Sequence, residues 1–205
     1  MSAHAALRGA HSPVCGLILA GGQGRRMGGV DKGLQALRGK PMVEWVIDRL
    51  APQVTRIVIN ANQNVEAYRR YGWAVVSDEV REHGGAGPLA GLHAGLAHCV
   101  EPLLVTVPCD SPFLPPDLVS RLRESLDTHD KQLAVARTGT QVHPVFALMR
   151  REVREHLGAF LAAGGRKIDA WYESLDVVEV DFADEAEAFS NINTREELRT
   201  HEAPP

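Results

Sequence analysis

Gly16-Leu17-Ile18-Leu19-Ala20-Gly21-Gly22-Gln23-Gly24-Arg25-Arg26-Met27-Gly28-Gly29-Val30-Asp31-Lys32-Gly33 is an apolar run that breaks into a glycine-rich, cationic loop. The run up to Leu19 has the length and content of a buried strand. Six glycines then fall between positions 21 and 33, among Arg25, Arg26 and Lys32. Glycines let backbone N–H groups approach an anion with no Cβ in the way and take the positive φ angles that curl them into a cradle. The cations supply the charge a triphosphate requires. Strand followed by phosphate loop is the opening of a nucleotide-binding α/β fold. Two familiar versions are excluded. A P-loop needs Gly-Lys-Ser/Thr, whereas Gly39-Lys40 runs into Pro41. A dinucleotide fingerprint starting at Gly22-x-Gly24 needs a glycine at position 27, which is Met27.

Outward from that loop, strand and helix patterns alternate. Met42, Val43, Val46, Ile47 and Leu50 share one face of a helix opened by Pro41. Thr55–Asn60, Ala74–Asp78 and Leu103–Val107 read as further strands. Short helices near Val65–Arg70 and Pro88–Cys99 separate them, and Pro116–Leu126 is amphipathic. This rhythm predicts a parallel sheet covered on both faces, a three-layer αβα, Rossmann-like fold. From Gln132 the pattern changes. Gln132–Arg137 and Gln141–Met149 form a predicted hairpin around Thr138-Gly139-Thr140. Helices at Val153–Leu161 and Arg166–Glu173 follow, then a strand at Val177–Val180 and a last helix from Thr194, where Thr194-x-x-Glu197 fits a capping box. The expected organisation is an N-terminal extension over 1–13 and one domain over 14–200. Its halves, 14–130 and 131–200, differ in pattern.

Each early strand ends in something polar or glycine-rich: Gly21-Gly22, Asn60, Asp78 and Asp110. Ligands of open parallel sheets bind beyond the carboxyl ends of strands, so all four endings are expected to face one cleft. Taken singly, Asn60 and Asp78 are equally good turn caps. Asp110, set between Pro108 and Pro112, offers a hard oxygen ligand suited to Mg²⁺. Gly84-Gly85-Ala86-Gly87-Pro88 leads into a helix N-terminus, itself attractive to an anion.

The loop string Leu19-Ala20-Gly21-Gly22-x-Gly24-x-Arg26-Met27-Gly28-Gly29-x-Asp31-Lys32 resembles the signature of molybdenum cofactor guanylyltransferases, within the nucleotidyltransferase superfamily. Gly87–Leu92, Val107–Phe113, His143–Leu148 and Asn191–Leu198 are similar to later blocks of that family, in family order. The resemblance covers residues 14 to 199. It implies transfer of GMP from GTP to the terminal phosphate of molybdopterin, with release of pyrophosphate. It assigns nucleotide contacts to Leu19, Ala20, Gly21, Gly22, Lys32, Asn60 and Asp78, and the Mg²⁺ to Asp110. Arg25 or Arg26 would join Lys32 in matching pyrophosphate charge. His143, Asn191 and Asn193 lie in family-like blocks and are acceptor-site candidates, with Arg137, Arg166 and Lys167 as further basic ones; Asn191 and Asn193 equally suit loop and helix capping. Transient contact with molybdenum-insertion proteins or molybdoenzyme chaperones is also implied.

The same chemistry on another substrate is the nearest rival: a molybdopterin cytidylyltransferase or a sugar-phosphate nucleotidyltransferase. Cytidine-using relatives resemble Leu-Ala-Ala-Gly at the loop, whereas this chain has Leu19-Ala20-Gly21-Gly22, and sugar-phosphate enzymes are usually longer. A non-catalytic nucleotide-binding adaptor is the rival from another class; loss of the lysine or the aspartate would mark one, and Lys32 and Asp110 are both present.

Composition narrows the classes. At 205 residues, 44% hydrophobic and 23% charged, the chain suits a soluble domain. A formal charge of −4 argues against a nucleic acid or an anionic membrane as main partner. No run is long enough for a membrane span, and Arg8, Gly9 and His11 interrupt any secretory h-region. Cys15, Cys99 and Cys109 form no Cys-x-x-Cys and cannot all pair within the chain, so reduced thiols in the cytoplasm are expected. Cys109 has no nearby His and reads as a buried small residue, not a nucleophile. His93 and His98 are five apart, the wrong spacing for one helix face, and no His-Glu-x-x-His occurs, which argues against a histidine-ligated metal.

Overall fold

The computed structural model describes residues 12–22, 31–78, 87–192 and 194–202. Its strands are β1 (Val14–Leu19), β2 (Ala36–Leu37), β3 (Lys40–Pro41), β4 (Arg56–Asn60), β5 (Ala74–Val76), β6 (Leu103–Pro108), β7 (Leu133–Thr138), β8 (Gln141–Arg150) and β9 (Val177–Asp181). The helices are α1 (Met42–Leu50), α2 (Val65–Arg69), α3 (Pro88–His98), α4 (Leu118–Thr128), α5 (Val153–Ala162), α6 (Ile168–Tyr172) and α7 (Arg195–Glu202).

Seven strands form one sheet in the order β5-β4-β1-β6-β8-β7-β9. Every pairing is parallel except those of β8, which runs antiparallel to β6 and β7. The expected αβα sandwich with a mostly parallel sheet is what forms. Alternation along the strands divides the core. Ile18, Ile57, Ile59, Val105, Ala134 and Leu148 pack with residues of α1 and α4, while Leu17, Val58, Leu104, Val135 and Met149 pack with α3, α5 and α6. Side chains two apart on a strand share a face, so this division is the period of 2 expressed in a sheet buried on both sides.

Local signals hold at several joints. The predicted hairpin is present, with Thr138 paired to Gln141 and Gly139 at φ +58°. The capping box forms reciprocally: Glu197 N donates to Thr194 Oγ1 and Thr194 N to Glu197 Oε2, both at 3.1 Å. Two features were not anticipated. Leu37 and Lys40 flank a tight turn of Arg38 and Gly39, both at positive φ, making the small β2–β3 ribbon. Leu37, Met42 and Ile192 then form a separate apolar cluster with Trp45, Phe113 and Leu198, which joins the chain's C-terminal part to that ribbon.

One reading is corrected. Cys15 and Cys99 are joined in a disulfide, not held as reduced thiols. The bond links β1 to the end of α3, across 84 residues of sequence, a proximity created by the packing of α3 on β1. Cys109 is free and buried, as expected. Among the described residues no helix is long and apolar enough to cross a membrane.

Candidate active site

Because β1, β4, β5 and β6 are parallel neighbours, their carboxyl ends lie along one edge of the sheet. From β1 the chain adds β4 and then β5 on one side, and after β5 it crosses back to add β6 on the other, which makes the β1/β6 boundary the switch point where ligands bind. Ala20 N donates to Asn60 O at 2.8 Å and Cys109 N to Leu19 O at 3.1 Å, so the start of the glycine loop is stitched between β4 and the end of β6. Gly21 sits against two amides: a Cβ there would stand 2.9 Å from Asn62 Nδ2 and 3.1 Å from Asn60 Oδ1. Gly22 is exposed, with open space where a Cβ would be. Arg25, Arg26 and Gly84–Ala86 lie outside the described residues.

Asn60 and Asp78 are brought together as the strand endings require. Asn60 Nδ2 donates to Asp78 Oδ1 at 2.9 Å, and Asn62 Nδ2 donates to Asp78 Oδ2 at 2.8 Å. The Asp78 N–H returns a bond to Asn62 Oδ1 at 2.9 Å. Asn62 thus holds both the backbone and the carboxylate of Asp78, and sequence reasoning missed it. The available signal was the doubled amide Asn60-Ala61-Asn62 at a strand end; its partner became visible only once β4 and β5 were adjacent.

Asp110 and Lys32, 78 residues apart, meet at 3.1 Å from Lys32 Nζ to Asp110 Oδ2, with side-chain exposures of 12% and 21% respectively. Water reaches this pair only in part, so the contact is stronger than an open surface pair. The Asp110 loop is strapped from the C-terminal side: Ile192 N donates to Asp110 O at 2.9 Å, and Ser111 Oγ to Asn191 Oδ1 at 2.6 Å. Asn191 therefore reaches the site by bracing the residue next to Asp110. Burial, then the charges of Asp110 and Asp31, push the Cys109 thiol well above its usual pKa, so it stays protonated and unreactive.

Among the described residues, the one group of three or more His, Cys, Asp or Glu with ligand atoms close enough to share a metal is Cys15, Cys99 and Glu101. It lies toward the opposite end of β1, and its two sulfurs are bonded to each other. Among the described residues no such group includes Asp110.

The acceptor candidates scatter more. His143 contacts Thr138 Oγ1 at 2.8 Å and stacks on Phe189 with ring centroids 4.8 Å apart. Its burial lowers the imidazole pKa below the ordinary value, which leaves it neutral at pH 7. Arg137 faces Glu179 at 3.5 Å and Asp181 at 3.6 Å on β9. Arg166 donates to Leu161 O and Gly165 O just past α5, and Lys167 precedes α6. Asn193 lies outside the described residues.

Residues 16–177 match the family described as MobA-like NTP transferase domain. The chain is 51% identical over 199 residues to a molybdenum cofactor guanylyltransferase of Cupriavidus taiwanensis, covering 95% of this chain and 98% of that one. It is 50% identical over 181 residues to the protein of the same name from Shewanella putrefaciens, covering 88% and 92%. Among solved structures, molybdopterin-guanine dinucleotide biosynthesis protein A from Archaeoglobus fulgidus superposes with a TM-score of 0.76 at 28% identity, covering 92% of this chain and 96% of that one.

Proposed function

The chain belongs to the molybdenum cofactor guanylyltransferases of the MobA-like NTP transferase family, and from that premise we propose a reaction for the cleft at the β1/β6 boundary. The terminal phosphate of molybdopterin attacks the α-phosphorus of GTP, the bond from that phosphorus to the bridging β-oxygen breaks, and pyrophosphate leaves. The product is the guanine dinucleotide form of the pterin. The observation that carries this reading is the contact of Lys32 with Asp110 beside the glycine loop.

No general base is required, because the attacking phosphate is already anionic; the work left to the protein is alignment and charge neutralisation. A triphosphate offers Lys32 a second anion, and a divalent cation offers Asp110 a second positive charge. The pair can therefore part without leaving either charge unmatched. Loop N–H groups of Gly21 and Gly22, placed by Leu19 and Ala20, and the ammonium of Lys32 hold the phosphates, with Arg25 and Arg26 assigned to the pyrophosphate end. Asn60, Asn62 and Asp78 form a pre-bonded wall for the nucleoside.

Asp110 fits Mg²⁺: this ion is commonly held by one or two carboxylates, with phosphate and water oxygens completing its shell. Bound there, Mg²⁺ would draw charge from the phosphate oxygens. The half over 14–130 takes GTP and the half over 131–200 takes molybdopterin, with His143, Asn191, Asn193 and Arg137 on the acceptor side. We place the reaction in the cytoplasm, where GTP is available; the fully buried sulfurs of Cys15 and Cys99 are shielded there from thiol attack.

Pyrophosphate release is measured with GTP, CTP or ATP, with and without molybdopterin, alongside binding of the three nucleotides by calorimetry. Release that requires both GTP and molybdopterin, with GTP bound most tightly, is expected. Equal affinity for all three nucleotides overturns the guanylyl assignment, and absence of release from each of them overturns transfer itself.

A further inference from the structure

Lys32 is fixed by its neighbours in sequence, and those neighbours are held by residues with no role in the chemistry so far. Asp31 accepts from the phenol of Tyr68 at Oδ1, 2.5 Å away, and from Asn64 Nδ2 at Oδ2, 3.1 Å away. Tyr68 is fully buried on α2, and Asp31 is the partner its hydroxyl has there. Burial holds the phenol far above its usual pKa, so it donates at any working pH. On the other side of Lys32, Gly33 presses onto the same hydroxyl and onto Cys109: a Cβ at Gly33 would lie 2.5 Å from Tyr68 Oη and 3.2 Å from Cys109 Sγ. Gln35 N to Lys32 O at 3.0 Å and Val43 N to Gly33 O at 2.9 Å complete the hold on the backbone. The lysine thus sits between two anchored residues, one tied to α2 and the other resting on the residue before Asp110.

We propose that Tyr68 and Asn64 are positioning residues for Lys32, acting through the carboxylate of Asp31. This rests on the reading of Lys32 as a triphosphate ligand. The latch ties the β4–α2 segment to the end of the glycine loop, so that the lysine meets phosphate without first having to be ordered. Such preorganisation lowers the entropy cost of binding and aligns charge where it is needed.

The test is a double-mutant cycle on GTP affinity in the presence of a chelator, which keeps the readout on the protein's own groups, with pyrophosphate release measured in parallel. Lys32→Met should weaken GTP strongly. Tyr68→Phe, which keeps the ring and removes only the hydroxyl, should weaken it about fivefold to tenfold, the net scale of one ordinary hydrogen bond. Placed in the Lys32→Met background, Tyr68→Phe should cost nothing further. Equal losses in the two backgrounds make Tyr68 an independent structural residue and overturn the latch. An unchanged affinity in Tyr68→Phe, beside a large loss in Lys32→Met, also overturns it. Normal GTP binding by Lys32→Met instead removes the reading on which the latch rests. If Tyr68→Phe does not fold, Asn64→Gly carries the same cycle: Asn64 has φ +49°, which glycine adopts without strain, and its side-chain bond to Asp31 is lost. Its loss should be about twofold to threefold in the parent and none beside Lys32→Met.

Discussion

Asp110 is tied through its backbone to Ile192 and through its carboxylate to Lys32, so its two halves answer to different demands. Asp110→Asn keeps the shape and leaves the backbone bond to Ile192 intact. The amide cannot neutralise the Lys32 ammonium, and because that side chain is 21% exposed water makes up part of the loss, so stability should fall by about 1–3 kcal/mol with the fold kept. Turnover should drop by about 10²–10³, the scale seen when one charge-stabilising group of a transition state is removed, and the Mg²⁺ needed for half-maximal rate should rise. Turnover against Mg²⁺ concentration beside a melting curve checks this; a folded, active variant with the parent's metal requirement refutes the role. The residues Asp110, Lys32, Asn60 and Asp78 were legible beforehand because each stands at a strand end or within the glycine string. Asn62 and Tyr68 were not, because their meaning lies in side-chain partners at 16 and 37 residues' distance in sequence.

Helix α3 shows how an element shapes the site through its packing. Gly91 and Gly95 lie one turn apart on the face pressed to the sheet. A Cβ at Gly91 would stand 2.3 Å from Asn60 Oδ1, and one at Gly95 would stand 2.3 Å from Leu17 Cδ2. Asn60 cannot swing aside without giving up its bond to Asp78, whereas Leu17 is an apolar neighbour with no link to the nucleotide wall. Both Gly91→Ala and Gly95→Ala should destabilise the fold by about 1–3 kcal/mol through overpacking. Only Gly91→Ala should also weaken GTP, and comparing urea midpoints with calorimetric affinities separates the two effects. Equal GTP affinity in the two variants refutes the coupling of α3 to Asn60. At this scale sequence patterns served well, since periodicity and capping are local: the Thr194–Glu197 box and the Thr138–Gln141 hairpin formed as read. Boundaries slipped where backbone partners decide them. β5 stops at Val76, the last residue in register with β4, and the following Ser77 and Asp78 turn their side chains to Ala61 and Asn62 instead. The β2–β3 ribbon, two residues on each strand, is too short to show any alternation.

The whole molecule separates chemistry from fastening along β1. Its carboxyl end opens into the glycine loop, and near its amino end Cys15 is bonded to Cys99 behind α3. No spacing rule in sequence links two cysteines 84 positions apart; only the packing of α3 against β1 does. A cross-link closing so long a loop restricts the unfolded chain, and the chain-entropy account gives about 4–5 kcal/mol as its upper worth. Thiol titration of the unfolded, unreduced protein should find one reactive group, Cys109, and three after reduction. Reduction should lower the melting temperature by about 10 °C, given about 2–4 °C per kcal/mol for a chain of this size. GTP affinity should hold at temperatures where the reduced protein stays folded, because the groups of the cleft sit at the other end of the strand. A Cys15→Ser, Cys99→Ser double variant should match the reduced protein and show no response to reductant. Three reactive thiols before reduction would remove the bond from the account of stability. A fall in GTP affinity on reduction, with the fold intact, would show instead that α3 carries strain from this bond to Asn60.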